Sequence, residues 1–144
     1  MKAVGRSISM SFALPFAAVG VAGAKMAIDF EQSMTKINTL VGTSVEEVNK
    51  LATSVKAMAV ETATPAKELA DALFFIQSAG IKGAESLKVL EVSAKGASMN
   101  MGEITDIASA TTSIMTGFGK TSAEAGDLLH ETLKQGKFEA SEFM

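Results

Sequence analysis

The chain has no cysteine, no tryptophan and no tyrosine, and only two of its 144 residues are proline. The missing cysteines exclude disulfides and thiolate metal sites. They leave the compartment open, since cytosol, periplasm and virion all accept a cysteine-free chain. Phenylalanine is the only aromatic, and aromatics total 6% of the residues. A basic surplus is missing too: 13 Lys and Arg are scattered among 16 Asp and Glu, for a net charge of −3. Binding nucleic acid through phosphates and stacking calls for a concentrated basic face with aromatics between the charges. Neither is present, so no sequence-specific nucleic-acid partner is expected. Histidine occurs once, at His130, and a lone imidazole does not make a metal site.

What the chain does contain is a packing vocabulary of Ala, Ser, Thr, Met and short aliphatics. Apolar residues are 47% and charged residues 20% of the sequence, enough to build a core and too apolar for intrinsic disorder. Small and unbranched side chains suit closely spaced helices better than a sheet. The expected fold class is all-α.

Apolar residues keep helical spacing at Met26, Phe30, Met34, Ile37 and Val41 before Gly42, which predicts one long helix over residues 13–41 with Pro15 in its first turn. Ser44 and Glu47 form a capping box, and the helix it starts carries Val45, Val48, Ala52, Val55 and Ala59 on one seam. Thr64 and Pro65 read as an N-cap followed by a first-turn proline, ahead of the seam Leu69, Leu73 and Ile76 with Phe74 beside it. Gly80 suits the left-handed position after a helix end, with Ile81 as the accompanying apolar contact. Further helices are predicted over residues 83–97 (Leu87, Leu90, Ala94), over residues 102–116 (Ile104, Ile107, Thr111, Ile114, then Phe118), and from the capping box Thr121 and Glu124 to Gly136 (Ala125, Leu128, Leu129, Leu133).

These starts at Ser44, Thr64, Gly83, Gly102 and Thr121 are spaced by 19 or 20 residues. Helices of about 13–16 residues joined by tight turns favour antiparallel neighbours and helical hairpins. Equal spacing fits either an ordinary bundle or an α-helical array in which each element buries its seam on the next. The expected organisation is an apolar N-terminal helix over residues 1–42 and a helical-hairpin region over residues 43–144. Ser141 is a further cap at the same interval. The amphipathic stretch "KFEASEFM" ends within a turn or two of it, which predicts that the chain is the front part of a longer protein or the product of a truncated gene.

No constellation for catalysis emerges. "GFGKTS" at residues 117–122 has the tail of a phosphate-binding loop, but position 114 is Ile where that loop requires Gly. The segment reads instead as a helix stop, two glycine turns and a new cap. Met99 and Met101 are a soft-metal pair by chemistry, yet filler between helices is the reading their context favours. The carboxylates fall at caps and on outer faces. No catalytic residue, metal, cofactor or small-molecule substrate is expected.

The stretch "SISMSFALPFAAVGVAGA" at residues 7–24 has no charge and follows Lys2 and Arg6. It has the form of a signal peptide with a small-residue cleavage site at Ala22, Gly23 and Ala24. On that alternative, residues 1–24 are removed and the rest is an exported periplasmic or secreted helical binding protein. As a membrane span its 18 residues reach ~27 Å, short of a ~30 Å core, and serines, glycines and Pro15 dilute it. Against both, the apolar face runs on without a break to Phe30.

Residues 14–42, "LPFAAVGVAGAKMAIDFEQSMTKINTLVG", resemble the core region of phage tail tape-measure proteins: Pro15, an Ala/Gly/Val-rich helix, Phe30 and Glu31, then Met34 and Lys36. The resemblance continues through Leu51, Thr64 and Pro65, Glu68, Leu69, Ala70, Asp71, Ala72 and Leu73, then Ala79 and Gly80, and reaches the Phe118–Gly119 turn and Asp127. It implies a structural, non-enzymatic virion component made in the bacterial cytoplasm and housed in the tail lumen. Such a component acts as ruler and scaffold for tail-tube polymerisation and leaves the tube ahead of the DNA. The partners it implies are tail-tube and tail-assembly proteins and further copies of itself as a helical oligomer, with host-membrane contact through residues 8–28 during genome delivery. A fully helical chain of this length spans only about 216 Å, so this segment is expected to be a module of a ruler.

Overall fold

Residues 20–136, which the computed structural model describes, fold into six α-helices with no strand among them. They are α1 (Gly20–Val41), α2 (Val45–Thr62), α3 (Ala66–Ser78), α4 (Gly83–Ser98), α5 (Ile104–Phe118) and α6 (Ser122–Gly136). Pro15 and the first part of the predicted long helix lie outside the described residues, as does the Ser141 cap. Ala22, Gly23 and Ala24 are helical within α1.

The connections are short because the sequence stops each helix chemically. At the end of α3, Gly80 takes φ +95°. Its N–H donates to the Gln77 carbonyl at 3.1 Å and the Ile81 N–H donates to that of Ile76 at 3.3 Å. This is a Schellman turn, and Ile81 packs on the core as such turns favour. Asn100, φ +58°, closes α4 in the same way, with Met101 N–H donating to the Gly96 carbonyl at 3.2 Å. At the other ends, Ser44 Oγ accepts from Glu47 N–H at 3.3 Å. Thr121 and Glu124 cap each other, side chain to backbone in both directions, at 3.3 and 3.0 Å. Thr64 does not cap α3. Its hydroxyl pairs with that of Thr62 at 2.9 Å, and Pro65 occupies the cap position without a side-chain bond. The ring of Pro65 holds an extended turn that leaves Thr64 one residue too early. Likewise α5 begins at Ile104, two residues after the predicted Gly102.

The helices stack in two layers. In one, α1 packs on α3 and α3 on α5; in the other, α2 packs on α4 and α4 on α6; successive helices pack across the layers. Each helix thus meets its neighbours one and two places along the chain, the pattern of an α-helical array. Ser33 Oγ of α1 donates to Asp71 Oδ1 of α3 at 2.5 Å, and the Asp29 carboxylate acts on Lys67. Both pairs are 38 residues apart, so α1 and α3 run parallel and in register.

The core follows this stacking. Phe30, Met34, Ile37, Val48, Leu51, Val55, Leu69, Leu73, Ile76, Val89, Leu90 and Ala94 form one continuous cluster, while Ile107, Ala110, Leu129 and Leu133 form a second between α5 and α6. Three residues assigned to apolar seams leave them. Met26 is 52% exposed although Ala27 next to it is buried, so it lies at the edge of the face that α1 buries. Phe118 at 73% and Leu128 at 47% lie on α5 and α6, which the described residues cover on one side only.

Candidate functional site

The residues that carry the tape-measure resemblance are mostly architectural in position. Phe30, Leu69, Ala70 and Leu73 are fully buried in the larger cluster, where α1 crosses α3. Gly80 makes the turn described above. Thr64, Pro65 and Glu68 come together with Asp71, Glu103 and Thr105 along a groove of about 520 Å3 at the start of α3 and α5. Pro15 lies outside the described residues.

Glu31 on α1 is a partly buried polar member of the set, and it faces Lys56 on α2. Burial raises its pKa, against the pull of the Lys56 ammonium on α2. Burial in turn lowers the pKa of Lys56, opposed by Glu31. The Lys56 Nζ sits 5.4 Å from the centroid of the Phe30 ring, within range of a cation–π contact. One lysine therefore answers both members of the Phe30–Glu31 pair and ties α2 to α1.

A second polar feature lies deeper. Thr43 Oγ1 donates to Gln77 Oε1 at 3.0 Å, Gln77 Nε2 donates to Ser86 Oγ at 3.2 Å, and Ser86 Oγ donates to the Gly83 carbonyl at 2.7 Å. All three side chains are buried, so this chain satisfies polar groups that would otherwise be costly. It joins the turn after α1 to α3 and α4. The sequence reading missed it. The one available signal was Gln77, which follows Ile76 on the buried face of α3 and sits one turn after Leu73.

The remaining candidates fall into ordinary positions. Residues 117–122 span the end of α5, a left-handed Gly119 and the Thr121 cap, so the glycine–lysine–threonine run is a helix-to-helix turn. His130 Nδ1 lies 3.4 Å from Met101 Sδ. Met99 shares their groove of about 270 Å3 beside Val92 and Leu129. Charged side chains pair along single helices, as in Lys50–Glu46 at 2.9 Å and Lys88–Glu85 at 3.1 Å. These partners hold the Glu46 and Glu85 carboxyls below their usual range, but such exposed pairs contribute little to stability. Among the described residues, no group of three or more His, Asp or Glu side chains is placed to hold a metal, and no helix is long and apolar enough to cross a membrane.

Comparison with known proteins relates this stack of helical hairpins to phage tails. A tape measure protein of Pneumococcus phage Dp-1 is 24% identical over 123 residues, covering 85% of this chain and 11% of that protein. The chain thus spans about one-ninth of the length of that curated relative. No solved structure matches it. Residues 52–144 match the family described as phage-related minor tail protein. That match takes in α3, α4, α5 and α6 whole, and the chain belongs to this family of phage tail proteins.

Proposed function

We propose that the chain is a helical module of a tape-measure protein, which sets tail length and serves as the scaffold on which tube subunits assemble. The observation that carries this reading is the similarity, along most of the chain, to a protein named for that role. The stacked hairpins support it physically. A stack of this kind presents long helical surfaces to protein partners, and its length is a property of the number of repeats. On this reading the module is non-enzymatic, lies in the tail lumen, and contacts tube and assembly proteins together with other copies of the ruler. The division into an N-terminal helix over residues 1–42 and a hairpin region from residue 43 is retained as part of the proposal.

The test is an in-frame deletion of residues 66–103, one hairpin repeat, from the complete tail gene, with tail length measured by electron microscopy. If the ruler is extended as helix inside the tube, tails shorten by about 57 Å, at ~1.5 Å per residue. If it stays stacked, the shortening is smaller but present. Tails of unchanged length reject a ruler role for this segment.

A further inference from the structure

Two thioethers and the chain's single imidazole meet at the turn between α4 and α5. Asn100 takes the left-handed conformation, and the Met101 N–H returns to the Gly96 carbonyl at 3.2 Å. The backbone therefore reverses within Met99, Asn100 and Met101, and both methionines line one groove with His130 of α6. The Met101 sulfur is held from two sides. It lies against Gly96 on α4, where an added Cβ would be 3.5 Å away, and His130 Nδ1 is 3.4 Å from it. Met99 is 55% exposed rather than packed between helices, and its unbranched side chain has three rotatable bonds with which to reach the groove.

We propose that Met101, His130 and Met99 form a binding site for a soft monovalent cation, copper(I). The spacing of the first two suits a shared ion. A first-row metal such as zinc holds imidazole nitrogen at about 2.0 Å and sulfur at about 2.3 Å, so two such donors subtending roughly 105–120° stand about 3.4–3.7 Å apart. Thioethers are soft donors that favour copper(I), whereas carboxylate and carbonyl oxygens suit harder ions. The groove is walled by Val92, Ile107 and Leu129, and an apolar wall penalises a doubly charged ion more than a singly charged one. Three neutral ligands leave a net charge of +1. Asp127, one turn before His130 on α6, also lines the groove and supplies the opposite sign. Lys95 lines it too, but its ammonium is paired with Glu91 at 2.5 Å. With no cysteine in the chain, no thiolate competes for the ion. A bound ion would clip the turn after α4 to α6.

The probe is copper(I) held by bicinchoninate without oxygen, for which the purified chain competes. Loss of the coloured chelate gives both stoichiometry and affinity. One equivalent is expected to transfer. His130→Gln and Met101→Leu should each weaken binding at least ten-fold, and Met99→Leu by several-fold. Leucine for methionine nearly conserves volume, which limits the effect of these changes on folding. Met58→Leu, on α2 and away from the groove, should leave the affinity unchanged. X-ray absorption of the copper-loaded parent chain needs no variant, and should show both sulfur and nitrogen bound to the metal. No transfer to the parent chain would overturn the proposal. So would affinity indifferent to His130→Gln or Met101→Leu, which would point to binding by others of the nine methionines. A spectrum without sulfur, or displacement of copper(I) by equimolar zinc, would equally reject a soft-cation site.

Discussion

Gly126 on α6 packs so closely against Val92 on α4 that a Cβ at position 126 would lie 2.4 Å from Val92 Cγ1. Valine is stiff about χ1 in a helix, so it cannot swing aside cheaply. Glycine is otherwise a poor choice within a helix, by about 1 kcal/mol against alanine. Close approach of the two helices is what it provides. Gly126→Ala is expected to lower stability by ~1 kcal/mol net, the overpacking exceeding the gain in helix propensity. Val92→Ala in the same chain should reverse part of that loss. Denaturant unfolding of the single and double variants measures the coupling, and simple additivity would show that the contact is not the cause.

Gln77 offers a contrasting case, in which polarity rather than space is decisive. Gln77→Leu removes the acceptor of the Thr43 hydroxyl and the donor to Ser86 while leaving both buried. The expected loss is about 2–3 kcal/mol, seen as a lower denaturant midpoint at unchanged slope. Exposed Gln32→Leu on α1 is the control and should shift the midpoint little.

The two threonines read as caps should separate cleanly. Thr121→Ala deletes a hydroxyl that accepts from Glu124 N–H, and a loss of ~1 kcal/mol is expected. Thr64→Ala deletes one that meets only Thr62, so its effect should be a small fraction of that. Equal losses in thermal or denaturant unfolding would contradict the cap assignment.

Acid should act on Glu31 in the opposite sense from the capping carboxylates. The pKa of Glu124 is lowered, first by the backbone N–H of Thr121, so its contribution is present above the ordinary value of 4.5 and is lost as the pH falls through its folded pKa. The pKa of Glu31 is raised by burial, so the folded state binds its proton more readily and stability is lost as pH rises from 4.5 through the folded value. Glu31→Gln removes that loss. The difference in Tm, variant minus parent, should therefore grow more positive between pH 4 and pH 7. A difference that is flat or falls over this range would show that Lys56, not burial, governs Glu31.

The helices and their ends were legible in the sequence because they depend on local chemistry. The Ser44 and Thr121 caps, the turn at Gly80 and the seam from Phe30 to Ile37 each follow from residues within one or two turns of one another. Thr64 misled because the competition between its hydroxyl and the turn imposed by Pro65 depends on geometry that residue type does not specify. The polar chain through Gln77 was hidden for a different reason: Thr43 and Ser86 lie 34 and 9 positions away, and nothing local marks them as partners.

By itself, then, the sequence determined an all-α chain, nearly every helix boundary and a spacing of 19–20 residues between helix starts. Tertiary structure decided what that spacing means. Two successive helices form one 38-residue repeat, because packing pairs each helix with the one two places along. Whether an apolar residue such as Phe118 or Leu128 is core or surface follows from the same stacking. Burial is a relation between elements, and periodicity within a single helix records only which face is prepared for it.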